Sequence, residues 1–182
     1  VQRHGSGTFV APQPSRVEQS LGQLTSFAED MARRGLPVRS VFLDRGLYDP
    51  SPEEVMALGL SPGEKVARIA RLRISGDAPL AIERASLTAA ILPDPALVVD
   101  SLYAELERTG NRPVRAIQRI RAANLNESDA KLLAISAGAA SLHIERVGYL
   151  SSGRVVEFTR SVYRGDTYDF VAELRVGEGA RT

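Results

Sequence analysis

The chain of 182 residues contains no cysteine, no tryptophan, two methionines and two histidines. Without cysteine there can be no disulfide and no thiolate metal site, which fits a cytosolic protein. His4 and His143 stand in no metal-ligand spacing, so no metal is expected. No apolar run approaches the roughly 20 residues of a membrane span, and the opening Val1-Gln2-Arg3-His4 lacks the apolar stretch of a signal peptide. Neither sign of charge dominates: the net charge is +1, so no broad basic surface calls for nucleic acid and no acidic one for a cationic partner. A nucleophile elbow and a phosphate-binding glycine loop are also missing, because Gly5-Ser6-Gly7 lacks the strand-then-helix setting. No organic cofactor is expected. No internal repeat and no low-complexity tract stands out.

What is present is ordinary material for a globular domain: 43% hydrophobic and 25% charged residues, at the size of one domain with at most a small appendage. A first residue other than Met is expected of a piece of a longer protein. Residues 1–12 read as a hairpin tip around Gly5 and Gly7, and residues 13–24 as a linker opened by Pro12-Gln13-Pro14. Ser26-x-x-Glu29 is a capping box, and Gly35 with Pro37 closes the helix behind it. Val38 to Leu47 reads as a strand, and Ser51-Pro52-Glu53-Glu54 as the next helix start, ending before Gly59. Lys65 to Ile74 and Pro79 to Leu87 read as a hairpin about Gly76-Asp77. Ser101 to Arg108 is a helix ended by Gly110. Val114 to Leu125 is a strand, and Asn126 caps a helix carrying Leu132, Leu133 and Ile135. Leu142 to Leu150 and Arg154 to Tyr163 form a hairpin about Gly153, and Tyr168 to Val176 a last strand. Tight turns and single short helices between strands imply an α+β domain with a mainly antiparallel sheet flanked by helices.

Two strands carry polar side chains in period two. Arg71 and Arg73 share a face, and a guanidinium is a planar fork suited to phosphate or carboxylate. A two-residue loop would set Arg71 opposite Ile82; a three-residue loop, Gly76 to Ala78, would set it opposite Glu83. The second register makes the polar groups converge and is the one expected. Glu157, Thr159, Ser161 and Tyr163 alternate on the later strand, where they can meet sugar hydroxyls or form the solvated face of an antiparallel sheet. The helix start at Thr25 and Ser26 offers hydroxyls and free N–H groups for phosphate, or ordinary capping. Ser101 and Tyr103 repeat that signal more weakly. Arg115, Arg119 and Arg121 make a basic stripe that reads as a solvated or salt-bridged face.

Four stretches go beyond generic physics: LTSFAEDMARRG at 24–35, VARIARLRISGDAPLAIERASL at 66–87, SLYAELERTG at 101–110 and VVEFTRSVYRGDTYDFVAEL at 155–174. With them the chain resembles the UTRA effector-binding domain of GntR-type transcription regulators, the HutC branch, over nearly all of residues 21–175. The resemblance implies a chorismate-lyase-like fold over residues 25–176, followed by a tail at 177–182. It implies a homodimer, a small-molecule effector, and DNA contacted through an N-terminal winged-helix domain whose wing ends in residues 1–12. In relatives with sugar-phosphate effectors, the matching positions are Ser26, Phe27, Arg71 and Arg73 for the anion and Glu83, Glu157 and Tyr163 for the sugar. Residue 28 is Ala where a hydroxyl often follows the Phe, which removes one phosphate contact. The expected function is a cytoplasmic repressor's sensing domain with no membrane partner. The alternative is a chorismate-lyase-like enzyme acting on a small carboxylate.

Overall fold

Four side-chain caps punctuate the chain. Ser26, Ser51, Ser101 and Asn126 each accept a hydrogen bond from the backbone N–H three residues on, at 3.2, 3.3, 3.3 and 2.8 Å. Such a bond satisfies one of the donors that a helix start leaves open. The helices they begin are α1 (Phe27–Arg33), α2 (Pro52–Leu58), α3 (Leu102–Arg108) and α4 (Glu127–Leu132). α4 is shorter than its sequence suggests: Leu133 already closes it, and the chain leaves through Ala134 at φ 54°, before Ile135.

The computed structural model describes residues 17–174. The expected hairpin remnant at 1–12 and the tail at 177–182 lie outside the described residues. Eight strands accompany the helices: β1 (Val17–Ser20), β2 (Val38–Tyr48), β3 (Val66–Ser75), β4 (Ala78–Thr88), β5 (Arg115–Asn124), β6 (Ala140–Tyr149), β7 (Val155–Arg164) and β8 (Tyr168–Val171). Six of them form one antiparallel sheet in the order β2-β3-β4-β7-β6-β5. The other two pair in parallel as a separate ribbon, Val17 opposite Tyr168. Part of the segment read as linker is therefore strand. The last strand stops at Val171, short of the expected Val176.

That strand order contains the repeat the sequence does not show. The first half runs α1-β2-α2-β3-β4 and the second α3-β5-α4-β6-β7, with β4 and β7 paired at the centre. The caps Ser26 and Ser101 lie 75 residues apart, as do Ser51 and Asn126. The positive-φ glycines follow the same spacing, Gly35 with Gly110 and Gly63 with Gly138, and the left-handed turn at Gly59 recurs at Ala134. Caps, turns and burial recur, but few side-chain identities do, Arg71 with Arg146 among them, so the strings themselves look unrelated.

The layers follow the repeat. Leu102, Tyr103 and Leu106 of α3 pack on Ala67, Ile69, Ala85 and Leu87, while Phe27 and Met31 of α1 pack with Ala81, Ile144 and Tyr163. On the other face, α2 brings Leu58 against Val66 and Phe158, and the α4 segment brings Ala130 and Leu133 against Ile82 and Val162. The central strands β3, β4 and β7 are buried on both sides, and the starts of α1 and α3 lie over the same face of the sheet.

Candidate functional site

Register places the chemistry. The β3–β4 turn has two residues, Ser75 pairing with Ala78, but a bulge between Arg73 and Ile74 slips the ladder by one. Arg71 therefore faces Glu83 and Arg73 faces Ala81. The expected pairing is present with a different cause: a bulge at Leu80 rather than a longer loop, the one-residue shift that moves side chains between faces. Across β4 and β7, Glu83 faces Ser161, Ala81 faces Tyr163 and Ala85 faces Thr159; across β6, Ser161 faces Ile144 and Thr159 faces Arg146. One polar row after another thus crosses the sheet under the α1 and α3 starts.

Arg71 and Arg73 are only 1% and 2% exposed, which demands partners for their charge. Both guanidiniums bind the Glu83 carboxylate, Arg73 at 3.0 and 3.2 Å. Arg71 also donates to the Asp100 carbonyl at 3.1 Å, and Arg73 to Ser40 Oγ at 2.6 Å. The Nε of each has no hydrogen-bond partner among the described residues. Burial alone would push the Glu83 carboxyl up, but the two arginines outweigh it and hold it at about 2. Arg73 also lies over the Phe27 ring, 5.3 Å from its centroid.

The second carboxylate is treated oppositely. Burial raises Glu157 above the usual range, against the pull of Arg146 and of the hydroxyls of Tyr103 and Thr159 that donate to it. Burial, with Glu157 beside it, raises Tyr103 as well, and burial with Glu83 raises Tyr163. Tyr163 sits in an aromatic group, 4.5 Å edge-on from Tyr168 and 6.2 Å from Phe27. Three guanidiniums thus meet two carboxylates, one of them biased toward its neutral form, and the region carries a positive surplus.

These side chains surround one cavity of about 30 Å³, room for a water or two. Of the residues singled out in the sequence, Ser26, Phe27, Arg71, Arg73, Glu83, Tyr103, Glu157 and Tyr163 line it, whereas Thr25 and Ser101 do not. Thr25 donates to Asp30 at 2.8 Å, and Ser101 is occupied as the α3 cap. The capping box also engages the Ser26 N–H, which donates to Glu29 at 2.8 Å. The row Glu157, Ser161, Tyr163 is buried rather than solvated. Of the stripe on the outer strand β5, Arg119 and Arg121 are salt-bridged to Glu145 of β6 and Arg115 lies over the Tyr149 ring, 4.1 Å from its centroid; none lines the cavity. Sequence reasoning misses Arg146, which also lines the site. Its signal is the alternating row Leu142, Ile144, Arg146, where a charge interrupts an apolar series.

The site is thus a cation-rich cavity closed between two helix starts on a doubled antiparallel sheet. The UTRA domain family matches residues 33–169, and the chain belongs to it. It is similar to the HTH-type transcriptional repressor NagR of Bacillus subtilis (strain 168), 36% identical over 170 residues that cover 92% of this chain and 69% of NagR. It is 30% identical over 172 residues to the mannosyl-D-glycerate transport/metabolism system repressor MngR of Escherichia coli (strain K12), covering 91% of this chain and 70% of MngR. The crystal structure of the effector domain of PhnF from Mycobacterium smegmatis superposes with a TM-score of 0.81 at 26% identity, over 88% of this chain and 100% of that domain. The chain is a UTRA effector-binding domain of the GntR family of transcription regulators, HutC type. Among the described residues, no helix is long and apolar enough to cross a membrane.

Proposed function

We propose that this domain senses a phosphorylated sugar and, as a homodimer, sets the DNA affinity of an N-terminal winged-helix domain in a cytoplasmic bacterial repressor. The observation that carries the reading is the pair of buried arginines sharing one carboxylate at the cavity floor. A guanidinium with an unpartnered Nε retains donors for a phosphate, and two of them match a dianion better than they match Glu83 alone. Glu157, Tyr103 and Tyr163, together with Glu83, supply acceptors and donors for hydroxyl or amino groups. The name of MngR, which speaks of a mannosyl-glycerate system, supports a sugar bearing an anionic group.

The cavity is smaller than a sugar, so binding is coupled to movement. A ligand phosphate takes the place of Glu83 on Arg71 and Arg73, and the α1 and α3 starts part to admit the ring. Residues 13–24 join this region to the winged-helix domain, and β1 ties them to β8. A ligand that favours one arrangement of α1 shifts the population of that linker. Binding proceeds without turnover, so the ligand is recovered unchanged after incubation.

The test is a thermal-shift screen against hexosamine 6-phosphates, their unphosphorylated parents and inorganic phosphate. Ligand at a hundred times its Kd adds about 2.7 kcal/mol of stability. A shift with the sugar phosphate and none with its parent supports the reading. A shift with the parent alone, or with no sugar phosphate, refutes it.

A further inference from the structure

Arg146 borders a second cleft. On its far side lies a cavity of about 210 Å³, roofed by residues 21–24 and floored by Ala116 and Gln118 of β5. We propose that this cleft is the far end of the effector site and takes a carboxylate on the same ligand whose phosphate meets Arg71 and Arg73. The inference rests on the sugar-phosphate reading above and names a second anionic group on that ligand.

The repeat explains why a guanidinium stands there. Arg71 and Arg146 lie 75 residues apart, the spacing that separates the caps of the two halves. Each donates from NH1 to the carbonyl just before the cap of the opposite half's helix: Arg71 to Asp100, Arg146 to Thr25, both at 3.1 Å. Their cross-strand neighbours differ. Arg71 faces Glu83, whereas Arg146 faces Thr159. The second half therefore keeps the cation and lacks the counter-ion built into the first.

The partners that remain are neutral. Nε and NH2 of Arg146 both donate to Gln118 Oε1, at 2.9 and 2.7 Å, and NH1 donates to the Thr25 carbonyl. No carboxylate lies within ion-pair distance of Arg146 among the described residues. Glu157 is within electrostatic reach, but it lines the first cavity and takes its hydrogen bonds from Tyr103 and Thr159. The cleft holds one cation, the amides Gln23 and Gln118 and no acidic side chain, a lining suited to a carboxylate. Arg146 borders both cavities, and in this proposal one ligand reaches past it from the first into the second. A carboxylate there touches residues 21–24 and fixes the segment between β1 and α1.

Calorimetric titration with a hexitol 6-phosphate and with the aldonate 6-phosphate of the same configuration separates the possibilities. Both ligands are open chains that share the phosphate, and they differ at C1, a hydroxymethyl group in one and a carboxylate in the other. The aldonate is expected to bind roughly ten- to a hundredfold more tightly, the scale of a charged hydrogen bond. That ratio is expected to fall to about one in Arg146→Gln. It is expected to fall also in Ala116→Glu, which leaves the arginine in place but sets a carboxylate in the cleft that competes with the ligand's for it. Equal binding of both ligands by the wild type, or a ratio that survives in the two variants, overturns the inference and leaves the sugar-phosphate reading standing. Binding of neither ligand overturns the inference, and the hexosamine 6-phosphate screen then decides the sugar-phosphate reading separately.

Discussion

Arg71 and Arg146 hold equivalent places in the two halves of the sheet, and each anchors the helix of the half it does not belong to. Arg71 reaches the carbonyl of Asp100 before α3, and Arg146 reaches that of Thr25 before α1. The two helix starts that close the cavity are thus tied to two of the three guanidiniums that line it. A ligand that draws on either arginine competes with the bond that positions the helix above it. Sensing and movement share the same atoms.

Acid is expected to unfold the domain through two carboxylates. Glu83 is held at about 2 by Arg71 and Arg73 in spite of burial, and Glu54 at about 2 by Arg68, Ser51 and Ser86 in spite of burial. Both folded values lie below the unfolded value near 4.3. Their contribution is complete above that value and is lost as pH falls toward 2. Urea midpoints measured from pH 7 to pH 2 are expected to fall mainly below pH 4.5. Glu54→Gln, which loses charged bonds to Arg68 at 2.8 and 2.5 Å, is expected to cost about 2 kcal/mol at pH 7 and to flatten the slope. An unchanged slope would contradict the assignment.

Glu157 works in the opposite sense. Its folded pKa is raised by burial, so the folded state binds its proton more tightly and the group opposes folding as pH rises above the unfolded value. Glu157→Gln is expected to raise the melting temperature at pH 7 while weakening effector binding roughly tenfold, a stability–function conflict at one residue. Differential scanning fluorimetry paired with titration reads both. A variant that loses stability and keeps affinity would refute the role.

Gly148 is the small residue that makes room for that carboxylate. A Cβ there would stand 2.8 Å from Cγ of Glu157 and 3.0 Å from its Oε1. Gly148→Ala is expected to turn Glu157 out of its place, to break the bond from Tyr103, and to lower effector affinity several-fold while the far-UV circular dichroism is kept. Unaltered affinity would show that Glu157 does not touch the ligand.

Much of this arrangement is legible in the sequence, for reasons that can be named. Caps announce themselves because Ser26, Ser51, Ser101 and Asn126 each precede a helix by one residue and leave a short polar signature. The alternation of Arg71 with Arg73, and of Glu157 with Tyr163, follows from the two-residue period of a strand. The Arg71–Glu83 pairing is expected as well, but from a three-residue loop; the bulge at Leu80 that produces it leaves no mark in the turn residues. The duplication is hidden because caps and turns repeat while side chains diverge, Glu83 in one half answering to Thr159 in the other. Arg146 escapes notice because its meaning depends on that hidden equivalence and on the carbonyl of Thr25, 121 residues earlier.

In the proposed function, Arg71 and Arg73 hold the anion of the effector. The most direct measurement is calorimetric titration of the wild type and Arg71→Ala with a hexosamine 6-phosphate found by screening, beside its unphosphorylated parent. The phosphate ester is expected to bind the wild type, and the parent to bind far more weakly. Arg71→Ala, checked for folding by circular dichroism, is expected to lose roughly 1.5–3 kcal/mol of binding, the scale of a charged hydrogen bond. Wild-type affinity in Arg71→Ala, or equal affinity for ester and parent, would contradict it.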